Sequence, residues 1–90
     1  MRLLICAAVF AALTFSVQPS TALAASCSER ITFVQHVIDG DVKTGFVDKK
    51  VHDVMSRDLA EAGQACKAGD VAKAQSLISS TQRRHGYPVR

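Results

Sequence analysis

The chain has no tryptophan, a single tyrosine and two prolines. No stretch alternates apolar and polar residues between turn signals, which argues against a β-sheet as the organising element. Beyond residue 24 the aromatics are Phe33, Phe46 and Tyr87 alone. A core must therefore come from aliphatic side chains and alanine.

Signatures of chemistry are also missing. There is no Cys-x-x-Cys, no haem-attachment Cys-x-x-Cys-His, no His-Glu-x-x-His, no phosphate loop and no Gly-x-Ser-x-Gly elbow. A chain this short also has little room for a pocket that excludes water, which acid–base and nucleophilic catalysis both need. No enzyme, catalytic residue, cofactor or metal ligand is implied. The formal net charge of +3 is too mild to point to nucleic acid.

What is present begins with residues 1–24, which read as a secretory signal peptide. Arg2 supplies the one charge, Leu3 to Phe15 the apolar run, and Ala22-Leu23-Ala24 the small-x-small cleavage pattern. The run is too short for an ordinary spanning helix. Failure to cleave would leave an N-terminal anchor; cleavage leaves one small domain, 25–90, with no stable membrane span. This predicts an exported protein, periplasmic or secreted.

Domains of this size bury only about 60% of their unfolded surface and often need a disulfide, a metal or a partner. Cys6 leaves with the signal, while Cys27 and Cys66 remain, an even pair in an oxidising compartment. A disulfide is the expected use. Acylation of Cys27 is the competing one, although such sites usually carry Leu, Val or Ile three positions earlier, where Ala24 stands.

The spacing predicts an all-α, three-helix bundle. Ser26 and Glu29 match a capping box, and Ile31, Val34, Ile38 and Val42 follow as one apolar stripe. The first helix spans about 27–43, with Gly45 as its stop and an early end at Asp39-Gly40 as the alternative. Asp48 opens a second helix, about 49–68, with Val51, Met55, Leu59, Ala62 and Cys66 on one face and Val54 beside them. Asp70 opens a third, about 71–85, with Val71, Ala74, Leu77, Ile78 and Thr81 as its stripe and Gly86 and Pro88 beyond it. The expected core is Ile31, Val34, Ile38, Val51, Val54, Met55, Leu59, Ala62, Val71, Ala74, Leu77, Ile78 and Tyr87.

Short-looped helices of similar length pack antiparallel, so the start of the first meets the end of the second. Cys27 and Cys66 sit at those ends. If they pair, His36 falls opposite Arg57 and His52 opposite Asp41. The two histidines are then offset by about five residues, roughly 7–8 Å along the axis, too far for one metal. His52 and Asp53, as sequence neighbours, should point apart. His85 should meet the free carbonyls ending the third helix. The charges of the second helix read as a solvated face with weak pairs such as Asp53–Arg57.

The C-terminal segment concentrates Arg83, Arg84, Tyr87, Pro88 and Arg90. Arg and Tyr often anchor partner contacts, which makes Arg83, Arg84 and Tyr87 candidate partner-binding residues. The alternative is local: Tyr87 folds back on Leu77, Ile78 or the first helix and seals the core.

Residues 59–78, with Ala62, Cys66, Ala68-Gly69-Asp70, Ala74 and Leu77-Ile78, resemble one helix–turn–helix unit of a tetratricopeptide array without its bulky aromatic positions. The stretch from Cys27 through Ala-Gly-Asp to Arg-His-Gly-Tyr-Pro is similar to small exported bacterial helical proteins of unassigned function. That resemblance implies a helical fold and an exported address but no activity. The expectation is a non-enzymatic module that binds a protein or an envelope component. The alternative is a metal- or redox-responsive protein using its histidines or an opening Cys27–Cys66 pair.

Overall fold

The computed structural model describes residues 20–89, with side chains from residue 25 onward. The expected leader lies mostly outside these residues. Three helices follow in order: α1 Ser20–Thr44, α2 Lys49–Lys67 and α3 Val71–Arg84. The described residues hold no strand. α2 packs against both neighbours, while α1 and α3 share a thinner seam.

α1 starts at Ser20 rather than near Cys27. Ala22, Ala24 and Ala25 are strong helix formers, so the helix runs through the small-residue pattern instead of stopping there. Ser26 is thus interior and does not act as the expected cap, because the amides it would serve already sit inside a continuous helix. Gly40 does not end the helix early either. Asp48 occupies the N-cap of α2 in extended conformation but makes no side-chain cap bond. Asp70 does cap α3: its carboxylate accepts from the Lys73 amide at 3.2 Å.

All three helices end in the same way. Gly45, Gly69 and Gly86 have φ of 83°, 83° and 82°. In each case the glycine N–H reaches the carbonyl three residues back, and the next N–H reaches the one five back. The bonds are Gly45 to Val42 and Phe46 to Asp41, Gly69 to Cys66 and Asp70 to Ala65, Gly86 to Arg83 and Tyr87 to Gln82. This left-handed reversal closes orphan carbonyls and suits glycine, which lacks the Cβ that resists positive φ.

The core is small and aliphatic. Cys27, Val34 and Ile38 enter from α1, Met55, Leu59, Ala62, Ala65 and Cys66 from α2, and Ala74 and Ile78 from α3; Ile31, Val51, Val71, Leu77 and Tyr87 pack on it partly buried. Val54 is only half-buried and stands outside this cluster. Ala65, both cysteines, Thr81 and Gln82 are also buried although the expected core left them out; Cys66 and Thr81 do lie on the apolar stripes of their helices.

Cys27 and Cys66 are joined, with Cα atoms 5.9 Å apart and a sequence separation of 39. The bond fastens α1 to the C-terminal end of α2, as the antiparallel argument requires. Closing a loop of this length removes roughly 4 kcal/mol of unfolded-state freedom in the chain-entropy account. The acyl alternative for Cys27 is incompatible with this bond.

Candidate functional site

Three constellations stand out beyond the core. The first lies on the α1–α2 seam, below the disulfide. The Gln35 amide nitrogen donates to the Ser56 hydroxyl at 2.9 Å and to Asp39 Oδ1 at 3.0 Å. The His52 ring meets the same Asp39 oxygen through Nε2 at 2.7 Å. Its Nδ1 lies 3.6 Å from Asp53, so these neighbours do not point apart. Asp53 pairs with Lys49 at 3.2 Å rather than with Arg57. His52 faces Asp39, not Asp41, because a bond at one end of the seam fixes register only there, and long side chains shift their contacts by half a turn.

These bonds set the local charge. The hydrogen bond from His52, then that from Gln35, holds the Asp39 carboxyl below its ordinary 3.8. Lys49 does the same for Asp53. Both His52 ring nitrogens are therefore directed at carboxylates. His36 is exposed on α1 and lines an open hollow of about 440 Å³ with Gln35, Asp39 and Ser56, without a hydrogen bond to them. Among the described residues no three histidine, cysteine or acidic side chains group as metal ligands.

The second constellation is the C-terminal tail. Arg83 is exposed. Arg84 donates to Ser80 at 3.2 Å and lies 3.7 Å from Asp58, an ion pair longer than a hydrogen bond. His85 caps α3 with its backbone N–H and not with its ring. The reversal at Gly86 then swings Tyr87 onto α1, where its hydroxyl donates to Asp41 at 2.5 Å. Burial first, then Asp41, pushes the phenol up to about 12. Gln82 donates to the Pro88 carbonyl at 3.2 Å and pins the tail behind it. Tyr87 is thus structural in this fold, sealing the end of the bundle.

The third is a groove of about 240 Å³ between α1 and this tail, lined by Arg30, Phe33, Val34, Val37, Gln82, Tyr87 and Pro88. Arg30, Phe33, Val34 and Val37 fall at i, i+3, i+4 and i+7 on α1 and so form one face. Phe33 is 64% exposed at its edge. Arg30 spans to α3, donating to Gln75, to Ser79 at 3.2 Å and to Gln82 at 3.0 Å. Arg30 and Phe33 were not singled out from the sequence. Their only signal was a second, weaker stripe beside the main apolar stripe of α1, combined with a tail that returns to it.

No helix among the described residues is long and apolar enough to cross a membrane. No family model matches this chain, and neither a curated protein nor a solved structure matches it significantly. The fold and site define a disulfide-linked three-helix protein with a mainly apolar groove between α1 and the tail and a second open hollow on the α1–α2 seam.

Proposed function

We propose that this is a small exported, non-enzymatic binding module of the periplasm or secreted fraction, held together by its disulfide. It engages a protein or envelope component through the face that carries the groove. The observation that bears most weight is Phe33, a large ring left in solvent beside an apolar cleft whose far wall is built by the tail. Arg83 and Arg84 precede that tail in sequence and are exposed, as side chains that anchor partner contacts are, although neither lines the groove. Tyr87 contributes through its ring, as part of the groove wall.

Both sulfurs are fully buried, which supports a structural staple over a redox-responsive pair. An affinity capture from periplasmic and secreted fractions tests the reading, using the full chain beside Phe33→Ala and Arg84→Ala variants. A partner retained by the parent and lost by Phe33→Ala supports it. A partner set unchanged by both substitutions overturns the assigned face.

A further inference from the structure

We propose that the groove is a binding site for a small apolar monocarboxylic acid, with Arg30 anchoring the carboxylate. This rests on the reading of the protein as a binding module and adds what is bound. Arg30 carries the argument. Its guanidinium is half-buried in the groove wall, and its hydrogen bonds go only to neutral oxygens, those of Gln75, Ser79 and Gln82. No carboxylate among the described residues pairs with it. A cation partly withdrawn from water and held by dipoles alone gains strongly from an anion.

Gln75 takes one Nη1 proton and Ser79 and Gln82 take both on Nη2, so a carboxylate accepts singly from the remaining Nε–H or Nη1–H, as a charge-assisted bond and not through the parallel fork. Gln75, Ser79 and Gln82 follow one another along α3 at i, i+4 and i+7, so they hold the guanidinium in place before a ligand arrives. Such preorganisation removes part of the ordering cost of binding. Gln82 also holds Pro88, tying the anchor to the opposite wall.

The rest of the lining selects the body of the ligand. Phe33, Val34 and Val37 continue from Arg30 along α1, and Tyr87 and Pro88 face them. An unbranched or aryl chain extending from the carboxylate would run along this apolar strip. The Asp41 carboxyl is outside the lining and engaged by the Tyr87 hydroxyl, so the acid group is directed to the Arg30 end. The volume of about 240 Å³ falls under the usual range for drug-sized ligands, about 300–1,000 Å³. A medium-chain acid suits it better than a folded partner's helix.

The sole tyrosine, with no tryptophan in the chain, sits in the wall of this groove. Its fluorescence is therefore a local reporter. The full chain is titrated with octanoate, octanol, acetate and a short peptide ending in leucine. Saturable octanoate binding is expected, with octanol and acetate weaker by about tenfold or more, the scale of one lost charge-assisted contact. Arg30→Gln should weaken octanoate by a similar factor, and circular dichroism checks that its helices persist. Phe33→Ala, at an exposed position, should weaken binding severalfold without changing the melting curve.

Octanol binding as tightly as octanoate, or octanoate binding unaffected by Arg30→Gln, overturns the carboxylate anchor. A leucine-ended peptide that outcompetes octanoate overturns the small acid in favour of a protein terminus. If octanoate does not bind while capture still finds a partner lost with Phe33→Ala, this ligand is wrong and the binding module stands. If neither is seen, both fall.

Discussion

The two sides of α1 are built differently. Towards α2 the seam is fastened at several points: a disulfide at one end, Ile38, Met55 and Leu59 in the buried cluster, and the Gln35–Ser56 and Asp39–His52 bonds below, beside an open hollow of about 440 Å³ lined by Gln35, His36, Asp39, Ser56 and Gly63. Towards α3 the seam is sparse. Arg30 bridges it with polar bonds, Tyr87 straps one end, and a groove remains between them. The difference follows from what faces α1. α2 offers the buried side chains of Met55, Leu59, Ala62 and Ala65. α3 offers Gln75, Ser79 and Gln82, whose polar atoms need partners and leave Phe33 and Val37 without an apolar match. One side of the helix therefore carries most of the fastening, and the other the more apolar groove.

The comparison can be broken most severely at the staple. Replacing both cysteines by alanine should lower stability by about 3–4 kcal/mol, read as a fall in the urea midpoint. Equal midpoints for the parent and the double variant would remove the disulfide from the account. Leu59→Ala should cost about 3 kcal/mol, the usual scale for a fully buried leucine, and calorimetry would show it as a lower Tm. On the sparse side, Tyr87→Phe keeps the ring and removes one partly buried hydrogen bond. It should cost about 1 kcal/mol, measured by denaturant titration.

Proton linkage sharpens the contrast further. The Tyr87 phenol ionises near 10 when unfolded and near 12 when folded. The unfolded chain loses this proton first, so the contribution is whole below pH 10 and fades as pH rises to about 12. Tyr87→Phe should flatten that alkaline loss. Asp39 has the opposite sign: its folded value lies below 3.8. Its contribution is present above that value and fades as pH falls through the folded one. The Asp39→Asn variant should show a weaker acid slope in a melting series, a small effect at so exposed a site. The smallest change in stability is expected for Phe33→Ala, within about 0.5 kcal/mol as for most surface positions, despite its predicted loss of binding.

Much of the fold was legible because its punctuation is local. Asp70 as a cap, the glycines at 45, 69 and 86 as reversals, and the apolar stripes of α2 and α3 follow from short-range geometry. The pairing of Cys27 with Cys66 followed from helix lengths and one turn. The start of α1 did not, since the Ala-rich segment satisfies both a processing pattern and a helix, and helical propensity dominates in the intact chain. The groove was harder still. Arg30 meets residues of α3 that lie 45 to 52 positions away, and no periodicity within α1 reports which polar side chains stand opposite. Tyr87 illustrates both halves: its return to the first helix was one of two open readings, while its bond to Asp41 depends on where Gly86 sends the chain.

The covalent bond encloses α1 from Cys27 onward and nearly all of α2 in a ring that ends at Cys66, and α3 lies beyond it. Nothing covalent therefore prevents the third helix from peeling away while the hairpin stays shut. Such an excursion would dismantle Arg30's cradle and the far wall together, so occupancy of the cleft and amide exchange along residues 71–84 should rise and fall as a single hinged unit.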